Sequence, residues 1–395
     1  MELKELKTVC DLQNGYAFKS KDYVDLSNTV SLRMSNIRPG GTFDNSYNLR
    51  YLPDTFKDAY SNYIVEDGDL VIAMTDLAND PKILGVPTIV KTGANTWLLN
   101  QRAGKLIVKD ESKADKNYLR YILNHPIHRN YYKMFAGGGL QINVGKKEIL
   151  GVKIPLPPLE TQKRIAQILD DAAALRDTTA QLLKEYDLLA QSIFLEMFGD
   201  PVVNPKGWEK KPFNFFAKFD TLMTSDFEKY ADYPHIGIAN IEKETGQLFN
   251  FNLVKDECLS SGKYIFNERH IIYSKIRPKL NKVALPNFEG LCSADSYPIL
   301  INKDHTNKIF FTFLLRSKSF VDFILNHSTR TNIPKANKKQ MLLYQGIYPD
   351  LKLQNQFADK IALIEQQKAL AKQEFQESED LFNCLLQKAF KGELV

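Results

Sequence analysis

Two stretches of the chain carry apolar or tolerated residues in alternating steps of three and four. The first runs Ile165, Ile168, Ala172, Leu175, Thr179, Leu182, Tyr186, Leu189 and Ile193. The second runs Phe357, Ile361, Ile364, Lys368, Ala371, Phe375, Ser378, Phe382, Leu385 and Ala389. A spacing near 3.5 is that of a coiled-coil seam and predicts two helices of about 35 to 40 residues, the second weakened by polar Lys368 and Ser378. Prolines precede each stretch, where a first helical turn tolerates them, and Gly199 and Gly392 mark the ends. Alone, either helix would expose its stripe, so the two are predicted to pack together. Elsewhere the pattern shortens. Runs such as Asp69 to Ala73, Thr88 to Val90, Lys105 to Val108, Ile271 to Ser274 and Tyr297 to Ile301 are β-rich and bounded by Gly, Asn, Asp and Pro, which predicts strands. Tyr118 to Leu123 and Phe310 to Phe320 predict helices.

These elements occur twice. Ile154-Pro155-Leu156-Pro157-Pro158-Leu159-Glu160-Thr161-Gln162 leads into the first long helix and Tyr348-Pro349-Asp350-Leu351-Lys352-Leu353-Gln354 into the second, with Pro157/Pro349, Leu159/Leu351 and Gln162/Gln354 each 192 residues apart. Tyr118 to Leu123 matches Phe310 to Leu315 at the same offset, and Phe198 matches Phe390. Toward the start of each half the match loosens, but Ser35-Asn36-Ile37 resembles Ala239-Asn240-Ile241. An internal repeat of this length means one unit made twice. The predicted fold is α+β: domains at 1–155 and 201–350, each followed by a helical spacer, at 156–200 and 351–395. A pseudo-twofold relation between the halves would make the helices antiparallel and throw the domains to opposite ends, with about 60 Å of helix at 1.5 Å per residue.

Charge sharpens this division. The 395 residues carry a formal net charge of +5, but it is uneven. Residues 1–155 hold 21 Lys and Arg against 17 acids, and residues 201–350 hold 21 against 15, whereas 156–200 hold 4 against 8 and 351–395 hold 6 against 7. A polyanion would be drawn to the two domains and not to the spacers. The N-terminus is charged where a signal peptide is apolar, and no stretch approaches the length of a membrane span, so a cytoplasmic protein without a membrane partner is expected. Cys10, Cys258, Cys292 and Cys384 are far apart and read as reduced thiols, mostly buried.

Chemistry is hard to find. The only Pro-Pro is followed by Leu159, so the Asx-Pro-Pro-aromatic loop of an adenine methyltransferase is missing. Gly145-Lys146 lacks the spacing of a phosphate-binding loop. Pro53-Asp54 and Pro349-Asp350 have no convincing Glu-x-Lys behind them. His125 and His128 stand three apart without further ligands and read as a surface helix end, not a metal site. No catalytic residue, cofactor or metal is predicted. Residues suited to DNA are plentiful. Arg33, Asn36 and Arg38, then Gln101 and Arg102, stand near strand ends, and Arg, Asn and Gln can each make paired contacts to base edges. Lys275, Arg277, Lys279 and Lys282 form a basic loop suited to phosphates. Gly137-Gly138-Gly139 and Ser328 to Asn332 occupy matching places in the repeat, and Gln141, Asn143, Arg330, Asn332 and Lys335 beside them complete the candidate DNA-binding set.

The run Ile154 to Gln162 with Arg164-Ile165 and Phe198-Gly199-Asp200-Pro201 resembles the helical region of type I restriction-modification specificity (S) subunits. Asn14 to Lys19, Asn100-Gln101-Arg102, Asn204 to Trp208 and Ala389 to Leu394 resemble that family too, so the likeness covers nearly the whole chain. It implies two target-recognition domains held apart by two long antiparallel coiled-coil helices, each domain reading one half of a bipartite asymmetric site in double-stranded DNA. It further implies partners: two copies of the adenine methyltransferase (M) subunit docked on the helices, and the restriction (R) subunit reached through the complex. Catalysis would belong to those partners. The second junction departs from the pattern, with Asp350 where a double proline is expected, which implies unequal docking surfaces. The reading from a different class is a coiled-coil assembly scaffold without sequence readout.

Overall fold

The computed structural model describes residues 3–135, 139–327 and 334–394. The chain divides into two compact units, Met1–Thr179 with Glu374–Val395, and Ala180–Gln373. In the first unit an antiparallel sheet has the order Cys10–Asn14, Ala103–Val108, Leu70–Ala73, Pro87–Ile89. A second sheet has the order Tyr51–Leu52, Thr29–Leu32, Thr96–Leu99, Ile64–Val65, and its two middle strands are parallel. Strand Leu70–Ala73 shows why both layers form. All four residues are buried, and since side chains alternate across a strand they feed two cores. Leu70 and Ile72 join the core that includes the helical residues Tyr118, Leu119 and Ile122, while Val71 and Ala73 join Val30, Leu32 and Trp97.

The second unit repeats the plan. Its antiparallel sheet has the order Ala217–Phe219, Ser296–Ile301, His270–Ser274, Val283–Ala284. Its other sheet has the order Met223–Thr224, Lys263–Phe266, Gly290–Cys292, Pro234–Ile236, Asn252–Leu253, again with a parallel pair, Pro234–Ile236 beside Gly290–Cys292. Ile271 and Tyr273 face one core and Ile272 the other. In both units a two-stranded ribbon joins the first strand to the one that precedes the long helix: Leu3–Glu5 with Lys153–Pro155, and Glu209–Pro212 with Gln345–Tyr348.

The long helices span Leu159–Phe198 and Leu351–Lys391. A fully buried glutamine in the first turn ties each to its domain. Gln162 Oε1 accepts from the Asp115 N–H at 3.0 Å, and its Nε2 donates to the carbonyls of Lys113 and Pro157 at 2.9 and 2.8 Å. Asp115 in turn caps helix Lys116–Leu123 through the Tyr118 N–H. Gln354 repeats this 192 residues later, accepting from the Asn307 N–H and the Thr306 hydroxyl and donating to the carbonyls of His305 and Pro349. Asn307 caps helix Lys308–Arg316.

Within the first unit, Ile165, Ala166 and Leu169 share a core with Leu386 and Ala389, and the Arg176 guanidinium lies 4.8 Å from the Phe382 ring centre. Within the second, Phe194 and Phe198 meet the Phe357 ring at centroid distances of 5.6 and 5.3 Å, and Lys368 Nζ bonds Asp187 at 2.7 Å. In each unit, therefore, the beginning of one long helix runs antiparallel to the end of the other. The second seam is as expected from the spacing, with Phe357, Ile361, Ile364, Ala371, Ser378 and Ala389 buried. The first needs correction. Leu175 and Leu189 are 53% and 46% exposed, and Leu169, Ala190 and Phe194 are buried instead. A helix rich in leucine offers two adjacent stripes of similar spacing, and of the buried one Leu169 and Ala190 lie 192 residues before Ile361 and Phe382 of the second seam.

Three smaller expectations also change. Phe310 to Phe320 is two helices, because Ser317 leaves the helical conformation and its hydroxyl accepts the Phe320 N–H to start Lys318–Asn326. The cysteines are free, but only Cys10 and Cys292 are buried; Cys258 and Cys384 are exposed. His128 is not at the surface: it is 3% exposed, and burial holds its pKa down to about 4, while His125 stacks on Phe390 at 4.4 Å. Among the described residues no helix is long and apolar enough to cross a membrane.

The glutamine ties predict a specific instability. Gln162→Leu strands an N–H and two carbonyls in a dry site and should cost about 3 kcal/mol or more. Gln162→Glu keeps the acceptor but aims a carboxylate at two carbonyl oxygens, which raises its folded pKa above the unfolded value of about 4.3. Its stability is then greatest below that value and falls as pH rises toward the raised one. Thermal melts should show the Gln162→Glu deficit, relative to wild type, smaller at pH 5 than at pH 8; a deficit independent of pH would contradict the assignment.

Candidate nucleic-acid interface

Both units build the same edge at the C-terminal ends of their parallel strand pairs. In the first, the Asn100 N–H donates to the Leu32 carbonyl at 3.0 Å, the Ala103 N–H to the Asn100 carbonyl at 2.9 Å, and the Arg102 N–H to Asn100 Oδ1 at 3.2 Å. The edge continues through Met74 N–H to the Arg102 carbonyl and Val144 N–H to the Met74 carbonyl, both at 2.9 Å. Thr75–Leu77 then pairs with Gln141–Asn143, where the Thr75 hydroxyl donates to Asn143 Oδ1 at 2.7 Å. This continuous path of bonds brings together Arg33, Gln101, Arg102, Gln141 and Asn143, five of the residues singled out from the sequence.

In the second unit the Ser293 N–H donates to the Ile236 carbonyl at 2.9 Å, the Ser296 N–H to the Ser293 carbonyl at 2.9 Å, and the Asp295 N–H to Ser293 Oγ at 3.1 Å. Lys275 N–H then bonds the Asp295 carbonyl and Ala336 N–H the Lys275 carbonyl, again at 2.9 Å, and Ile276 bridges Lys335. Bond for bond, Asn100, Gln101 and Arg102 correspond to Ser293, Ala294 and Asp295, Met74 to Lys275, and Asn143 to Lys335. The frame is shared and the side chains are not.

The basic loop of the second unit is held with some strain. Arg277 and Asn281 both adopt left-handed backbone angles, φ 50° and 49°, which cost an L residue roughly 1–2 kcal/mol. Their holders are the Arg277 N–H to the Pro334 carbonyl at 3.0 Å and Asn281 Nδ2 to the Arg316 carbonyl at 2.7 Å. Between them Lys279 is exposed, as is Arg277. Lys275 and Lys282 are less free. Lys275 Nζ lies 4.2 Å from the Tyr297 ring centre and bonds the Ala294 carbonyl, and Lys282 Nζ donates to the Ile238 carbonyl at 2.7 Å. Burial depresses both ammonium pKa values. Lys335 stands 3.7 Å from Asp295.

Asn36 has a different occupation. It is 1% exposed, its Oδ1 accepts from the Arg33 N–H at 2.9 Å, and its Nδ2 donates to the carbonyls of Asp44 and Tyr47. Asn240 does the same for Gly237, Phe249 and Asn250. Each amide pins a loop, and beside Asn36 the half-buried Arg38 lies 4.3 Å from the Tyr47 ring centre. Gly137, Gly138 and the Ser328 to Asn332 stretch, with Arg330 and Asn332, lie outside the described residues. The reading from sequence quoted Asn100 only as part of the family resemblance and passed over Ser293 and Asp295. Carrying Asn100-Gln101-Arg102 forward by 193 residues lands on Ser293-Ala294-Asp295, but a search confined to basic and amide side chains does not stop at an acid.

Residues 1–185 and 205–379 match the family model described as type I restriction modification DNA specificity domain. The chain is 32% identical over 199 residues to the type I restriction enzyme EcoDI specificity subunit of Escherichia coli, covering 48% of this chain and 43% of that one. It is 31% identical over 170 residues to the MjaVIII specificity subunit of Methanocaldococcus jannaschii, covering 42% and 38%. The matched stretch thus spans less than half the length of these curated relatives. A type I restriction-modification S subunit from M. genitalium, known from its crystal structure, shares the fold with a TM-score of 0.54 at 13% identity, over 98% of this chain and 96% of that one.

The inward role of Asn36 sets an expected outcome. Asn36→Ala empties three bonds at a dry site and should cost about 2 to 4 kcal/mol, whereas Asn240→Ala, at a half-buried site, should cost less. Urea titration of the two variants measures the difference; equal losses near zero would mean that neither amide holds its loop.

Proposed function

The chain belongs to the type I restriction-modification DNA specificity family, and we propose on that footing that it reads a bipartite, asymmetric site in double-stranded DNA, one half-site per unit. The observation that carries this reading is the duplicated edge: one hydrogen-bond frame, built twice, presenting Arg33, Gln101, Arg102, Gln141 and Asn143 in one unit and Arg277, Lys279, Lys335 and Asp295 in the other. Two frames of one geometry with unlike side chains suit two half-sites of unlike sequence, since phosphate contacts position and base-edge contacts specify. The remaining candidates divide accordingly. Arg38, Lys275 and Lys282 approach the backbone, and Arg330 and Asn332, outside the described residues, remain candidates from the sequence.

The chain itself supplies recognition, and the chemistry belongs to partners. Two copies of an adenine methyltransferase (M) subunit dock on the long helices, and a restriction (R) subunit joins through that complex. Leu175, Leu188, Leu189 and Leu195 on the first helix and Leu363, Leu370 and Leu381 on the second support a docking role, because each is at least 46% exposed and an apolar helix face in water favours a protein partner. The two helices act as a spacer that fixes the gap between half-sites.

Two experiments test this. Methylome sequencing of a host with the chain and its methyltransferase, against one lacking only the chain, should show a bipartite adenine-methylation motif that disappears; an unchanged methylome with both chains expressed would favour a scaffold without readout. Adding one heptad to both helices, at the equivalent positions after Lys184 and Gln376, lengthens the spacer by about 10 Å. The gap between half-sites should then grow by about three base pairs at roughly 3.4 Å each, and an unchanged gap would refute the spacer role.

A further inference from the structure

Asp295 is an anomaly on the edge it occupies. It is an exposed carboxylate close to Lys335 and Lys275, on the surface proposed to face a polyanion. A carboxylate there weakens phosphate binding at every sequence, so as surface decoration it is unfavourable. Its fold duty is carried by the backbone: its N–H bonds Ser293 Oγ and its carbonyl accepts from Lys275. The side chain has no part in that frame, and its charged neighbour is Lys335 at 3.7 Å, with both side chains about half exposed, 52% and 45%. At the equivalent place in the first unit stands Arg102, whose N–H and carbonyl make the same two bonds. One position of the frame thus carries a five-donor cation in one unit and an acceptor-only anion in the other.

Acceptor-only groups recognise base edges that donate. In the major groove the donors are the N4 amino group of cytosine and the N6 amino group of adenine; adenine is read by amides, which satisfy both its donor and its acceptor, and carboxylates suit cytosine. Arginine suits the two acceptors of guanine. We infer that Arg102 and Asp295 are the matched base-reading residues of the two half-sites, Arg102 for a guanine and Asp295 for the amino group of a cytosine. Lys335 holds the Asp295 carboxylate over the groove and offsets its repulsion from the phosphates. The inference rests on the proposed DNA-reading function and names the residues that perform it.

The test uses the assembled complex of the chain with its methyltransferase, with two variants acting on different halves. Asp295→Ala is expected to relax one cytosine position of one half-site, with discrimination falling on the order of 10- to 100-fold, and to leave the other half unchanged. Arg102→Ala is expected to relax one guanine position in the opposite half. Lys335→Ala should weaken binding at all sequences and, by releasing the Asp295 carboxylate, relax the same cytosine position by less than Asp295→Ala does. Competition binding with the wild-type site and single-base-pair variants, alongside methylome sequencing, reads each effect. If Asp295→Ala leaves the preference at every position intact, or changes affinity equally for all sequences, Asp295 is only the ion-pair partner of Lys335 and the inference falls. If relaxation from both variants appears in the same half-site, the equivalence of the frames as readers falls. Loss of the motif when the whole chain is deleted, with retained preference in the variants, would leave the DNA-reading function standing and overturn this assignment alone.

Discussion

The constraint on which the architecture depends is the burial of Gln162 and Gln354. A primary amide has one acceptor and two donor hydrogens, and each of these side chains uses all of them on groups from two different elements: the first turn of a long helix and the cap of a domain helix. An apolar residue there would leave the cap unsatisfied, and a charged one would face carbonyls of the wrong sign. The bonds fix direction as well as contact. Because the cap helix packs on the main sheet of its own unit, the long helix leaves each domain along a defined line.

How far the sequence reveals this depends on the kind of signal. The glutamines, the cap residues Asp115 and Asn307, and the preceding prolines stand 192 apart and are legible as a repeat, because helix entry needs particular side chains at particular places. The second seam is legible for the same reason. The first is legible only in part: Ile165, Ala172 and Thr179 are buried as expected, but Leu175 and Leu189 are as apolar as Leu169 and Phe194, and periodicity cannot choose between neighbouring stripes. Only the repeat offset, applied to seam positions one at a time, points to Leu169 and Ala190. The duplicated edge is least legible. Its frame is made chiefly from backbone groups, which any sequence supplies, so Asn100-Gln101-Arg102 and Ser293-Ala294-Asp295 fold alike while sharing no residue type.

That backbone frame explains how one fold can carry two unlike sets of side chains. At Asn36 the side chain does structural work, and replacing it disturbs the loop beneath it. At Arg102 and Asp295 the main chain makes the bonds, so the side chain can change from cation to anion without altering the strands it follows. The separation is incomplete at Asn100 and Ser293, whose side-chain oxygens accept the N–H two residues on. Both residues are short and polar, which is what that turn requires. Around each free position there is thus a fixed one, and the fixed ones hold the free ones in equivalent places.

The seam between the helices shows a related economy. Arg176 and Lys368 occupy equivalent seam positions, 192 apart, where an aliphatic residue would pack more readily. Arg176 lays its guanidinium on Phe382 and bonds Asp177, while Lys368 bonds Asp187 and Glu365. A heptad slip would take Arg176 off Phe382 and Lys368 off Asp187, the partners on the facing helix, while Asp177 and Glu365, on the same helix as each cation, would move with it. An all-apolar seam has no such penalty, and its registers lie close in energy. The two cross-helix contacts, Arg176 with Phe382 and Lys368 with Asp187, thus favour the observed register over its heptad neighbours.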